Sequence, residues 1–177
     1  MEKATLLNDL ATNHTSEEAP VNQGILSMAA AQETGMISLS TRFGNFEFDR
    51  AQALNMPNGL LGFAGYSEFG LATPPGDGFG QFKILQSLQD ADLSFIVLPL
   101  PVDNGLIDRE DIEDATASLD GNIDDMAILL IATIRKLPDG SKLTVNTQAP
   151  IMIDAARRQA WQYILHNPKY NIQHELA

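Results

Sequence analysis

The sequence predicts a mainly β protein: a small antiparallel β-barrel-like domain with one or two short helices. Three observations predict it. Short apolar runs of strand length recur from Met36 to Ile153, and Gly, Pro, Asn and Asp separate them. Only one segment, Asp108 to Leu119, has helical spacing with no competing strand pattern. No internal repeat appears at any period, which excludes solenoids and propellers. A chain of short antiparallel strands removes its exposed edges by closing or curling.

The elements follow in order. Residues 1–35 contain the polar, acidic stretch Asn13 to Pro20 and read as a mobile extension, with a short helix possible around Ile25, Leu26 and Met28. Residues 36–177 form the folded domain. Ile37, Leu39, Thr41 and Phe43 alternate with polar residues, then Gly44-Asn45 precedes Phe46, Glu47 and Phe48. A primed turn at Gly44-Asn45 would pair Phe43 with Phe46, Arg42 with Glu47 and Thr41 with Phe48. Met56 to Phe63 reads as an irregular loop tucked into a core edge. Phe69 to Ala72 is a short strand, and Thr73 to Gly80 a loop with two prolines and three glycines. Phe82 to Leu88 and Leu93 to Leu100 are strands joined at Gln89 to Asp92. The second is apolar enough to be central, with Pro99 and Pro101 ending it. Asp108 caps the helix, acids fill its first turn, and Ile112, Ala115 and Leu119 form its buried stripe. Met126 to Lys136 and Ser141 to Gln148 are strands joined at Pro138-Asp139-Gly140, and Ile151 to Ile153 adds another. Asp154 to Gln162 has helix formers, but Trp161, Tyr163 and Leu165 alternate as in a strand.

Composition narrows the chemistry. The 177 residues include no cysteine, which excludes disulfides, a thiolate nucleophile and Cys-ligated metal. Acids outnumber bases 23 to 11, for a net charge of −12 that disfavours nucleic acid and favours basic partners. No apolar run approaches the roughly 20 residues a bilayer needs, and no signal peptide is evident, so the expected compartment is the cytosol. His14, His166 and His174 lack metal-ligand spacing. Gly76, Gly78 and Gly80 lack the strand and helix of a phosphate cradle. Asp90 and Asp92 read as turn residues rather than a catalytic pair. Asp120 to Asp125 matches a calcium loop poorly. Charge is unevenly distributed: Asp103 to Asp125 holds nine acids and one base, whereas Arg135 to the end holds six bases and three acids. The acidic segment is either a solvated helix face or a docking surface for a basic protein.

Several stretches, in order, resemble the FliW family of flagellar assembly factors. They are Thr41-Arg42-Phe43-Gly44 with Phe46; Gly59-Leu60-Leu61-Gly62-Phe63; and Leu85-Gln86-Ser87 followed by Asp90-Ala91-Asp92-Leu93-Ser94-Phe95. Ile131 to Ile134, Leu143 to Asn146 with Ala149-Pro150-Ile151, and Tyr170-Asn171-Ile172 complete the set. The chain departs from the pattern in its N-terminal extension, at Ile84, around Pro99 and in the Thr73–Gly80 loop.

The resemblance implies a β-barrel-like fold and favours the strand reading of residues 159–165. It implies a cytoplasmic, non-enzymatic protein, monomeric when free and without cofactors. Its implied partners are flagellin and the RNA-binding regulator CsrA, which such proteins hold outside its RNA site while flagellin competes. An RNA-binding regulator presents basic surface. The docking candidates are therefore the acids Asp90, Asp92, Asp108, Glu110, Asp111 and Glu113. Gln86 either bonds a partner's backbone or serves the sheet, and Leu61 and Phe95 read as core. A small-ligand barrel and a generic acidic interaction domain remain the alternatives.

Overall fold

The computed structural model describes residues 35–76, 80–138 and 140–176. The expected N-terminal extension lies outside the described residues, save Gly35. Eleven strands and one α-helix follow: β1 (Met36–Thr41), β2 (Gly44–Asp49), β3 (Leu54–Asn55), β4 (Glu68–Ala72), β5 (Lys83–Ser87), β6 (Ser94–Leu100), α1 (Arg109–Ser118), β7 (Met126–Leu137), β8 (Gly140–Val145), β9 (Ile151–Asp154), β10 (Gln159–Gln162) and β11 (His174–Glu175).

Nine strands form one sheet in the order β11-β8-β7-β6-β5-β4-β3-β10-β9, and β9 also pairs with β7. That last pairing closes the seven strands from β7 round to β9 into a ring, the barrel expected from the sequence. Among the described pairings only β10 with β3 is parallel. The ring closes because β7 is long: Met126–Leu129 pairs with β9, and Ala132–Leu137 pairs with β8 on the same edge.

Alternation sorts the side chains into three apolar groups. Phe69, Leu71, Leu85, Val97, Leu129, Ile151 and Ile153 fill the ring's interior. Outside it, Leu98, Ile128, Leu130 and Met152 pack against Ile112 and Ala115 of α1. On another outer face, Phe46 and Phe48 of β2 cover Ala72, Ile84 and Leu88. Both faces of β7 are buried near its start, which explains its nearly continuous apolar sequence.

The structure corrects several expectations. The β1–β2 turn is Arg42-Phe43, with Thr41 paired to Gly44, Leu39 to Phe46 and Ile37 to Phe48. The Thr41 hydroxyl accepts from the Phe43 N–H at 3.1 Å and donates to the Gly44 carbonyl at 3.0 Å. This side-chain turn outcompetes a primed turn at Gly44-Asn45. The shift is even, so the apolar face survives, but the expected Arg42–Glu47 pair does not form. Pro99 lies inside β6 opposite Leu129 rather than ending it. β5 pairs with β6 only as far as Val97, so the missing proline N–H falls on an unpartnered edge. Leu119 is only partly buried, and Thr116 takes its place in the buried stripe.

The helix pattern at Asp154–Gln162 is not realised. Asp154 is buried and its carboxylate accepts from the Arg157 N–H at 2.9 Å. It closes a tight turn in which Arg158 has φ +53°, and β10 follows. Among the described residues no helix is long and apolar enough to cross a membrane.

Candidate interaction surface

β5 and β6 meet at a turn, residues 88–93, that lies at one end of the ring. Gln86, next to the end of β5, is fully buried. Its side-chain nitrogen lies 2.9 Å from the Asp90 carbonyl, 3.1 Å from that of Leu93, 3.0 Å from that of Ser87 and 3.3 Å from that of Ala91. The amide therefore holds the turn from inside and is not available to a partner's backbone. Asp90 is committed as well: one carboxylate oxygen accepts from the Asp92 N–H at 2.9 Å, the other from the Tyr66 hydroxyl at 3.1 Å. That bond and the carboxylate's charge, with a smaller contribution from burial, push the Tyr66 phenol above its ordinary range. Asp92 alone of this group projects into solvent.

Two other stretches reach the same end of the ring. The Arg42 guanidinium donates to the Ser94 carbonyl at 2.8 Å and lies over the Phe43 ring. The loop after β3 folds back on itself, with Leu60 bridged to Phe63. Gly59 at its start has φ +61°, and a Cβ there would lie 2.5 Å from the Phe63 carbonyl, so only glycine fits. The loop buries Met56 and Leu60 but leaves Leu61 55% and Phe63 37% exposed. Phe63 packs edge-on against Phe95 at 5.4 Å, closing the mouth of the ring. The Leu61 N–H donates to the Gln162 side chain at 2.9 Å, which fixes the loop to β10. The expectation that Leu61 is core is thus overturned: the turn spends its burial on Leu60 and lifts the next side chain out. Phe95 is half-buried in the mouth. Large apolar side chains held rigidly at a surface are the anchors that protein interfaces use.

The remaining candidates lie elsewhere. β6 runs about 20 Å from the turn to its far end, beyond which the chain enters α1. Asp90 and Asp92 are therefore separated from Asp108, Glu110, Asp111 and Glu113. Asp108 has N-cap backbone geometry, but its side chain makes no capping bond and pairs instead with Lys169. Asp111 accepts from the Tyr170 hydroxyl, from Asn167 at 3.2 Å and from Lys169 at 3.3 Å. The Tyr170 oxygen also accepts from the Asp108 N–H at 3.0 Å. These bonds latch the C-terminal segment onto the helix start. The Tyr170 bond above all, with help from Lys169 and Asn167 and against the effect of burial, holds the Asp111 carboxyl below its ordinary range. Asp108 chiefly raises the Lys169 ammonium. Glu113 pairs with Arg109 at 2.7 Å, and Arg109 also grips Asp103. Glu110 is exposed and has no partner among the described residues; Asp114, which the sequence reading did not single out, is its equal.

Of the seven predicted residues, Asp92 at the mouth and Glu110 on α1 are exposed with no side-chain partner among the described residues, while Asp108 and Glu113 are exposed but ion-paired. The exposed apolar side chains that residue type alone did not place at the surface are Leu61 and Phe63. The glycines flanking them signalled a tight exposed turn, while their apolar character pointed to the core.

Among the described residues no cluster of three metal-ligating side chains occurs. The ring's interior is packed with side chains. A shallow apolar pocket of about 90 Å³ lies between Phe43, Pro74, Pro75, Ile84 and Ile96. That is well below the roughly 300 Å³ of small-molecule sites.

Comparison with known proteins places these features. The family model described as FliW protein matches residues 38–176. The flagellar assembly factor FliW of Syntrophotalea carbinolica is 32% identical over 142 residues, covering 78% of this chain and 96% of that one. Its counterpart from Syntrophus aciditrophicus is 30% identical over 138 residues, covering 77% and 85%. A crystal structure of the flagellar assembly factor FliW superposes with a TM-score of 0.61 at 25% identity, covering 80% of this chain and 97% of that chain.

Proposed function

Because the chain belongs to the FliW family of flagellar assembly factors, we propose that it is a cytoplasmic binding protein, not an enzyme, that engages flagellin and the RNA-binding regulator CsrA. Holding CsrA outside its RNA site would modulate its action on flagellin message, and flagellin would compete for the same protein.

One observation carries this reading. Two stretches of family-like sequence, around Arg42 and around Leu61, each contact a third, Gln86 to Phe95, at a single end of the ring: Arg42 donates to the Ser94 carbonyl and Phe63 packs on Phe95. Their buried members brace the site, and they leave Leu61 and Phe63 on its surface. A set of bonds that fixes two exposed apolar side chains suits recognition of a protein surface. The net charge of −12 favours encounter with a basic partner. Glu110 and Asp114 on α1, and Asp92 at the mouth, supply exposed carboxylates for that encounter.

The test is co-elution of the purified protein with flagellin and, separately, with CsrA, for the natural chain and for Leu61→Asp. The natural chain should form a complex with each, and the variant should lose at least one of them while keeping its fold. If neither partner co-elutes with the natural chain, the proposal fails.

A further inference from the structure

Two of the places where the chain departs from the FliW pattern, Ile84 and the Thr73–Gly80 loop, meet on the outer flank of the ring. Both line the apolar pocket of about 90 Å³. Ile84 of β5 and Ile96 of β6 are cross-strand partners and form its floor. Pro74 and Pro75 make one wall, and Phe43 of the β1–β2 turn makes another. The floor bridges two of the outer apolar groups: Ile84 lies under Phe46 and Phe48, and Ile96 packs with the group around α1.

The walls are fixed before anything binds. The Thr41 hydroxyl closes the turn that carries Phe43, and Arg42 ties that turn to the Ser94 carbonyl at 2.8 Å. Proline rings restrict the opposite wall and leave it no N–H for water to hydrate. A preformed, dry concavity asks little ordering of the protein when a ligand enters.

Size selects the ligand. A cavity of about 150 Å³ holds a benzene ring. The space of about 90 Å³ therefore suits one branched aliphatic side chain and not an aromatic one. It is too small for a small-molecule site, which points to a single residue of a protein chain.

Charge selects that residue's neighbours. The Arg42 guanidinium lies 4.8 Å from the centre of the Phe43 ring. It is exposed, donates to Ser94 and meets no carboxylate among the described residues. The lining side chains carry no charge of their own. A carboxylate next to the pocket would find in Arg42 a planar donor with N–H groups to spare. The net charge of −12 does not forbid this. It is screened beyond about 8 Å in physiological salt, whereas Arg42 acts in contact.

We propose that this pocket docks a partner protein through an aliphatic side chain flanked by a carboxylate. The aliphatic group sits between Phe43 and Pro74-Pro75, and the carboxylate pairs with Arg42. The inference does not depend on the identity of the flagellar partners.

The probe is the capped peptide acetyl-Glu-Leu-Glu-amide, titrated into the full chain with isotope-labelled isoleucine methyls. The methyl resonances of Ile84 and Ile96 should shift and saturate with a Kd of about 1–10 mM. Alanine in place of the peptide's leucine should weaken binding at least about fivefold. Lysines in place of its glutamates should weaken it at least about threefold. In Arg42→Gln, an exposed position, the preference for glutamate should vanish while that for leucine persists. Shifts that do not saturate, equal affinity for the alanine or lysine peptide, or shifts confined to Ile131 and Ile164 overturn the proposal. Binding that appears only in Phe79→Ala would assign the pocket to this chain's own Phe79 and overturn it too.

Discussion

Replacing Tyr170 with Phe removes one oxygen atom that serves two bonds. The hydroxyl donates to the Asp111 carboxylate and accepts from the Asp108 N–H at the start of α1. Tyr170 is 7% exposed, and Phe keeps its ring volume, so the loss is electrostatic and not a cavity. A hydrogen bond to a charged group contributes about 1.5–3 kcal/mol. Lys169 and Asn167 remain on Asp111, which places the expected loss near 2 kcal/mol. For a domain of this size that lowers Tm by about 4–8 °C. The pH dependence follows from the lowered pKa of Asp111, whose ordinary value is 3.8. A carboxyl lowered by folding stabilises the fold fully above its unfolded value and loses that contribution as pH falls through the folded value. The gap between natural and variant chains should therefore be full at neutral pH and shrink in acid below about pH 4. Urea unfolding followed by the fluorescence of Trp161, the single tryptophan, measures it. A loss below about 0.5 kcal/mol at neutral pH, or one that persists undiminished in acid, would refute the reasoning.

Other substitutions separate the braces of the site from its surface. Gln86→Leu strips the turn carbonyls of their shared donor inside the fold and should cost about 2–3 kcal/mol by urea unfolding; an unchanged midpoint would deny the turn its dependence on Gln86. Leu61→Asp, at an exposed position, should change stability by no more than about 0.5 kcal/mol while weakening partner binding about tenfold or more, measured by titration. Gly70→Ala places a Cβ 2.3 Å from the Phe48 ring and should cost about 1–3 kcal/mol in thermal unfolding, because the β1–β2 hairpin must move off β4. Glu110→Lys/Asp114→Lys should slow association with a basic partner several-fold at low salt and flatten its salt dependence by stopped-flow, with the dissociation rate nearly unchanged. Charge reversal at Asp108 or Asp111 would instead break the latch to Lys169 and Tyr170.

The strands that the sequence makes legible are those with one dry face and one wet face, or with two dry faces. β5, β6 and β7 announce themselves because Leu85, Val97 and Leu129 alternate inside the ring while Ile84, Leu98 and Leu130 fill the outer clusters. β3 and β11 are two residues long, too short for any period to register. The β1–β2 turn was misplaced because a Thr hydroxyl closed the chain two residues before the Gly-Asn signal. The candidate site was harder to read. Carboxylates looked available wherever they occurred, yet Asp90, Asp108, Asp111 and Glu113 each face a donor brought from a distant stretch or a helix neighbour. Leu61 looked buried because it is apolar. Its exposure follows from the loop's geometry, which residue type does not encode.

The proposed function rests on recognition of a basic regulator and of flagellin through fixed apolar and acidic groups. Calorimetric titration with CsrA from the same organism, at low and at physiological salt, tests it most directly. The account predicts tight binding that weakens as salt rises and that Leu61→Asp diminishes at both salts. No heat of binding at either salt, with a protein that melts cooperatively, would contradict it.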